Sequence, residues 1–153
     1  MSHGFDARLT ALGIELPPLS KPVANYLGCK RAGNLLHVGG HGPVSARGIV
    51  RGKVGGTLTL EAARAAARDT ALSMLATVRA ELGSLDRVRQ IIKIFGMVNC
   101  APGFNQTPAV IDGCSDVLVE IFGDAGRHTR SAVGMAELPF DICVEIEMIV
   151  EVE

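Results

Sequence analysis

The sequence predicts an α+β domain in which two helices pack on one face of a mixed β-sheet. Two segments carry apolar residues at helical spacing, and the C-terminal segment alternates apolar and polar residues as a strand does. Of the 153 residues, 48% are hydrophobic, which is enough for one core of ordinary size. No repeat, low-complexity stretch or charge run divides the chain, so we expect a single domain over residues 1–153.

The N-terminal third predicts a short helix followed by a β-hairpin. Residues 4–12 place their apolar side chains on one side of a helix and end before a glycine. Residues 24–31 and 35–40 flank Gly33 and Asn34, a dipeptide that suits a tight turn between two strands.

A glycine-rich loop over residues 42–56 leads into a long predicted helix. Thr59 can cap its N-terminus, and Glu61 lies in the first turn, where the helix dipole favours negative charge. Gly83 is expected to end it. Its apolar stripe consists of Leu60, Ala63, Ala67, Ala71, Met74, Leu75, Val78 and Leu82.

An apolar strand and a second helix come next. Residues 88–98 are apolar on both faces, which predicts an interior strand that is covered on each side. Thr107 is a candidate N-cap, Pro108 suits the first helical position, and Gly123 stops the helix. Its apolar stripe consists of Val110, Ile111, Cys114, Leu118, Ile121 and Phe122.

Two strands, at residues 130–137 and 142–152, end the chain. Every second residue of the last strand is apolar, so that face should pack under the helices, whereas the partly acidic opposite face meets water or another subunit. If the two strands pair through the turn between them, Glu145 and Glu147 become the nearest acidic partners of Arg130.

The predicted order is therefore β-β-α-β-α-β-β, with both long helices on one side of the sheet. Each of these helices connects two strands, which favours parallel pairing of at least some strands. A sheet covered on one face, whose interior strand is apolar on both, leaves an apolar surface that favours an oligomer.

Composition excludes several classes of protein. Fifteen Lys and Arg against sixteen Asp and Glu give a net charge of −1, and aromatics are 4%, which argues against a nucleic-acid partner. No apolar run reaches the ~18 residues that a membrane span needs, and the N-terminus lacks the pattern of a signal peptide. We therefore expect a cytoplasmic protein with no membrane partner. The four cysteines form no Cys-x-x-Cys pair and are expected to be packed thiols.

No cofactor or metal ion is expected. His37 and His41 lie four residues apart on a strand, about 13 Å, which is too far for both to bind one metal. His41 remains a candidate proton donor or pocket residue. No motif for a nucleophile is present, although catalytic groups can assemble in space. The basic segment at residues 126–130 is of more interest, because the planar fork of Arg130 suits capture of a carboxylate.

The C-terminal block RSAVGMAELPFDICVEIE, residues 130–147, resembles the signature of the RidA (YjgF, endoribonuclease L-PSP) family. Tyr26, the Gly33-Asn34 turn, Gly40 and Pro43 match the first hairpin of that family in spacing. The resemblance covers roughly residues 22–151, so residues 1–20 form an N-terminal extension typical of a less characterised branch.

The resemblance implies a chorismate-mutase-like fold that assembles as a homotrimer with three clefts between subunits. Members of the family hydrolyse reactive enamines and imines, such as 2-aminoacrylate, to 2-keto acids and ammonia, with no cofactor. The resemblance implies that Arg130 binds the substrate carboxylate and that Glu145 lies near the attacking water. Tyr26, Gly40 and, as an additional candidate, His41 are expected to line the pocket.

Three positions depart from the family pattern. Ala132 replaces a Cys or Thr, Ser115 falls near a family asparagine, and Gly39 replaces a serine. These changes keep a second hypothesis open, a non-catalytic binder or sensor of small carboxylates. RNA cleavage, which the older family name suggests, is disfavoured by the charge balance.

Overall fold

The computed structural model describes residues 4–153, so the first three residues of the predicted extension lie outside the described part. Within residues 4–153, three α-helices, seven strands and three short 3₁₀ segments follow one another. The helices are α1 (Phe5–Ala11), α2 (Leu60–Leu82) and α3 (Thr107–Phe122). The strands are β1 (Cys29–Ala32), β2 (Leu35–His41), β3 (Val44–Ser45), β4 (Gly48–Ile49), β5 (Val88–Asn99), β6 (Thr129–Met135) and β7 (Val144–Val152). The 3₁₀ segments are Leu85–Arg87, Gly123–Gly126 and Pro139–Asp141.

Five strands form one mixed sheet in the order β1-β2-β7-β5-β6. Neighbours pair antiparallel except β5 and β6, which are parallel and are connected by α3. Helices α2 and α3 pack against each other and against the same face of the sheet. The predicted fold class, element order and one-sided helix layer are confirmed. Strands β3 and β4 add a small separate hairpin within the glycine-rich loop.

The pairing expected between the last two strands is wrong, because β5 lies between β6 and β7. The connection passes over the end of β5, where the buried Asn99 amide donates to Asp141 Oδ1 at 3.0 Å and to the Ile142 carbonyl at 3.1 Å. Phe140 and Asp141 adopt left-handed backbone angles there, with φ of 57° and 58°. Glu145 and Glu147 are therefore not on the strand next to Arg130.

The helix ends follow the predicted capping with one exception. The Thr59 hydroxyl accepts the Ala62 N–H at 3.1 Å, and Gly83 ends α2 with a φ of 82°. Gln106, not Thr107, precedes α3. The Thr107 hydroxyl instead donates to the Ala132 carbonyl at 2.9 Å, which ties the start of α3 to β6.

The core lies between the sheet and the helices, as the alternation in β7 predicts. Val144, Ile146, Met148, Val150 and Val152 are all buried on that side. On β5 the expectation of cover on both faces is wrong within one protomer. Its other face exposes Arg89, Gln90 and Lys93, because α2 and α3 both pack on the opposite side of the sheet.

Candidate functional site

Arg130 lies on β6, the strand at one edge of the sheet, and its side chain turns towards α3. One terminal nitrogen, Nη2, is 2.8 Å from Asp112 Oδ1 and 3.3 Å from the Pro108 carbonyl, and the other, Nη1, donates to Ser115 Oγ at 3.0 Å. The side chain stays 25% exposed. Helix α3 therefore fixes a guanidinium at an unpaired strand edge, within reach of solvent.

Ser115 connects Arg130 to a histidine. Its hydroxyl is 2.9 Å from His128 Nε2, and His128 Nδ1 is 2.6 Å from the Gly126 carbonyl. Burial lowers the pKa of His128, and the charge of Arg130 lowers it further. The imidazole is thus predominantly neutral near pH 7.

Glu145 lies on β7, on the sheet face away from the helices. A side chain on Gly40 would lie 3.0 Å from the Glu145 carboxyl group, so only glycine leaves normal space for it. Burial raises the pKa of Glu145, and the negative charge of Glu147 raises it further. The Glu145 carboxylate is therefore a stronger base than an exposed glutamate.

Tyr26 is 57% exposed and lines a cavity of about 770 Å³ at the sheet face away from the helices. Gly39, Phe95, Glu147 and Ile149 contribute to the same cavity. The cavity therefore lies between the first β-hairpin and the sheet face that carries Glu145.

His41 does not share the surroundings of Tyr26. It is 8% exposed, its Nε2 lies 2.8 Å from Thr77 Oγ1 on α2, and its Nδ1 lies 2.7 Å from the Gly39 carbonyl. Burial lowers its pKa. The predicted role of His41 as a pocket residue or proton donor finds no support in one protomer, because a bulge in β2 turns the ring towards α2.

The sequence-predicted residues fall into two groups on opposite sides of the sheet. Arg130, Ser115 and Ala132 lie where β6 meets α3, whereas Tyr26, Gly40 and Glu145 belong to the β1–β2 and β7 side. Two features separate the groups: β5 intervenes, and Arg130 and Glu145 project from opposite faces. One protomer does not bring the guanidinium and the carboxylate together. We call the first group the arginine half-site and the second the glutamate half-site.

Asp112 is a member of the arginine half-site that no motif in the sequence identified. Asp112 and Ser115 are three residues apart on one helix, a spacing that places both on the same face. That signal was present, but only the position of β6 beneath α3 shows that this face meets Arg130.

The four cysteines are free thiols, as expected. Cys114 and Cys143 are buried, which raises their pKa values to about 12 and about 11. Among residues 4–153, no three His, Cys, Asp or Glu side chains lie close enough together to hold a metal ion. Within the same range, no helix is both long and apolar enough to cross a membrane.

Comparisons with known proteins agree with this architecture. Residues 6–152 match the family model "YjgF/chorismate mutase-like, putative endoribonuclease". Protein TCP17 of Trypanosoma cruzi is 41% identical over 147 residues, which cover 95% of this chain and 92% of that protein.

Two solved structures are similar along nearly their whole length. Protein Atu1372 of Agrobacterium tumefaciens is 41% identical, with a TM-score of 0.90, and the match covers 99% of this chain and 94% of that one. A "putative endoribonuclease" of Shewanella oneidensis MR-1 is 30% identical, with a TM-score of 0.92 and coverage of 97% and 99%. The mixed sheet, its helix layer and these matches together show that the chain belongs to the RidA/YjgF family.

Proposed function

We propose that this protein hydrolyses reactive 2-imino and enamine acids, of the 2-aminoacrylate type, to 2-keto acids and ammonia. The observation that carries the proposal is the Arg130 guanidinium, held at a strand edge by three contacts from α3. An arginine has five N–H donors, so these contacts leave donors for a substrate carboxylate.

Glu145 supplies the base in this proposal. Its carboxylate accepts a proton from the water that attacks the imine carbon, and its raised pKa strengthens it for that task. A 2-imino acid is already reactive towards water. Orientation by Arg130 together with one general base, which contributes about 10²–10⁴-fold, is therefore enough.

The active site is proposed to form between copies of the chain. The arginine and glutamate half-sites lie on opposite sides of one protomer, so a cyclic assembly can join the first half of one copy to the second half of the next. The resemblance to the family implies three copies. The unpaired edge of β6 and the partly apolar sheet face around Phe95 and Ile149 are consistent with such contacts.

Substitution of Arg130 tests the proposed function. A serine dehydratase generates 2-aminoacrylate in the assay, and ammonia release is followed with wild type and with Arg130→Gln. We expect the rate acceleration over the uncatalysed reaction to fall at least ~100-fold, since the charge-assisted contact to the substrate carboxylate is lost. Arg64→Gln is the control, because Arg64 forms an equally short ion pair with Asp116 on the outer side of α3. Equal acceleration by wild type and Arg130→Gln would overturn the proposal.

A non-catalytic carboxylate binder is the second candidate, favoured by Ala132 in place of a polar side chain and by Asp112 as a resident counter-ion of Arg130. Pyruvate binding that requires Arg130, without faster hydrolysis of any imine tested, would select this candidate.

For the endoribonuclease activity named for the Shewanella relative, we expect no RNA binding at physiological salt, because the net charge is −1.

A further inference from the structure

A chain of hydrogen bonds beside Arg130 includes a histidine, His128, that has no role in the hydrolysis proposed above. The chain runs from Arg130 through Ser115 to His128 and on to the Gly126 carbonyl, with distances of 3.0, 2.9 and 2.6 Å. Ser115 belongs to α3 and His128 directly precedes β6. Two elements therefore build the arrangement together.

The chemistry of the end groups fixes the direction of each hydrogen bond. The Gly126 carbonyl only accepts, so Nδ1 of His128 carries the hydrogen and Nε2 of the neutral ring accepts. Arg130 only donates, so Ser115 Oγ accepts from Nη1 and gives its own hydrogen to Nε2. In this state the hydroxyl has no hydrogen left for a ligand.

Protonation of His128 reverses the role of Ser115. Nε2 then donates to Oγ, which already accepts from Arg130, and the hydroxyl hydrogen becomes available to a third group. Next to Arg130, the group that can accept this hydrogen is either a bound ligand or the Asp112 carboxylate. A proton taken up by His128 is thus presented at the hydroxyl of Ser115.

We propose that Ser115 and His128 form a proton relay to the nitrogen of the substrate whose carboxylate Arg130 holds. This inference rests on the proposed function and adds the source of the proton that ammonia needs in order to leave. In a 2-imino acid the carbon that bears nitrogen is bonded to the carboxylate carbon, so a group adjoining Arg130 reaches that nitrogen. Ser115 touches the substrate, whereas His128 is a positioning residue that acts through it.

Water first adds to the imine carbon: Glu145 takes a proton from the water and passes that proton to the imine nitrogen. The product is a carbinolamine, with one hydroxyl and one amino group on that carbon, and Glu145 is a carboxylate again. His128 passes its Nε2 proton to Ser115 Oγ as the Ser115 hydroxyl proton moves to the amino nitrogen. The C–N bond breaks, its electron pair leaves with ammonia, and the carbinolamine hydroxyl gives its proton to Glu145 as the carbonyl forms. Glu145 then releases its proton to solvent, and solvent reprotonates the half-buried His128, which restores the starting state.

The charges around His128 couple the relay to substrate. Burial lowers the pKa of His128 in the free site, the hydrogen bond to the Gly126 carbonyl raises it, and the charge of Arg130 on β6 lowers it further. Asp112 of α3 offsets part of the arginine charge. On the preceding turn, Asp124 and Arg127 pair with each other at 3.4 Å and are exposed. A substrate carboxylate on Arg130 adds negative charge near the imidazole, and so favours its protonation when the relay is needed.

Kinetics of Ser115 and His128 variants test the relay in the full-length protein. We expect Ser115→Ala and His128→Asn to lower kcat about 10- to 100-fold with little change in KM, and to alter the pH profile of kcat between pH 5 and 8. Ser115→Thr keeps a hydroxyl and is expected to restore most of the rate. Asp116→Asn, at the next position but with its partner Arg64 on the outer face, should behave as wild type.

An NMR titration gives a second measurement that does not depend on turnover. Pyruvate, as the carboxylate probe, is expected to raise the midpoint of the His128 titration in wild type and not in Arg130→Gln. His41, which is buried beside Thr77, serves as the internal reference.

Failure of the proton relay and failure of the proposed deaminase function give different results. Unchanged kcat and pH profile in both Ser115→Ala and His128→Asn, with activity lost in Arg130→Gln, overturn the relay and leave the proposed function standing. A wild type without deaminase activity overturns the function. A His128 midpoint that pyruvate leaves unmoved overturns the relay in either case.

Discussion

His41 and His128 occupy nearly the same local arrangement. In each, Nδ1 faces the carbonyl two residues earlier, and Nε2 faces a hydroxyl on a helix, Thr77 or Ser115. The difference is Arg130, whose guanidinium shares the hydroxyl of Ser115. We interpret the His41 pair as a satisfied core contact and the His128 pair as part of the site, because only the second connects to a charged group that a ligand can reach.

Acid should destabilise the protein through His41. Its pKa is lowered in the folded state from 6.5, so the unfolded chain binds the proton more readily. The contribution of His41 to stability is therefore complete above pH 6.5 and is lost as the pH falls towards the folded pKa. We expect His41→Gln to flatten the decline in the free energy of unfolding as the pH falls below 6.5.

Urea unfolding at a series of pH values measures this slope. The lowered pKa of His128 also destabilises the protein in acid. The dependence of the free energy of unfolding on pH is therefore weaker in His41→Gln than in wild type, but it does not disappear. Glu145 acts in the opposite direction, because its raised pKa costs stability as the pH rises above 4.5. If the free energy of unfolding of His41→Gln depended on pH as strongly as that of wild type, His41 would not be a cause of the loss of stability in acid.

At the scale of elements, the crossing of α2 and α3 positions the arginine half-site. Gly113, on α3 between Asp112 and Cys114, lies so close to α2 that an added Cβ would overlap the carbonyl oxygen of Arg64. Gly96 of β5 allows a similarly close approach by Ile111 of α3. Gly113 thus lets α3 lie close to α2, and Gly96 lets it lie close to the sheet, a position from which Asp112 and Ser115 reach Arg130.

Gly113→Ala tests this crossing. In an exposed helix the change would stabilise by up to about 1 kcal/mol, whereas here the overlap with backbone should cost about 2 kcal/mol or more. Denaturant unfolding measures the difference, with Asp116→Ala as the control. Asp116 is exposed and its ion pair contributes at most about 1 kcal/mol. A Gly113→Ala protein as stable as wild type would show that α3 can move away from α2 at no cost.

At the scale of the whole molecule, the protomer carries two halves of one proposed site that cannot meet within it. The sheet separates them, and neither half alone provides both a carboxylate-binding cation and a base. Assembly is therefore a condition for activity in our proposal, in addition to any effect on stability.

Complementation between inactive variants tests the shared site. Arg130→Gln and Glu145→Gln subunits, each inactive alone, are refolded together in equal amounts. In a cyclic assembly about one quarter of the interfaces pair an intact arginine half-site with an intact glutamate half-site, so a corresponding share of the activity should return. Arg130→Gln refolded with itself is the control. If both halves worked within one protomer, the mixture would stay inactive.

The local features of the fold were predictable from particular residues. Thr59 and Gly83 mark the ends of α2, and the alternation from Val144 to Val152 identifies the buried face of β7. The Thr107 prediction failed because a hydroxyl near a helix start has two possible partners. The nearby β6 carbonyl of Ala132 binds it in place of the helix backbone.

The sequence alone determined which segments are helices and strands, which of their faces are apolar, and which residues can carry charge at a site. These properties depend on side-chain periodicity and chemistry within one segment. Only the tertiary structure decided that β5 separates β6 from β7, that Asp112 rather than Glu145 faces Arg130, and that His128 reaches Ser115. Strand neighbours follow from long-range pairing, to which a local pattern is almost indifferent, because an apolar face packs equally well under either order of strands.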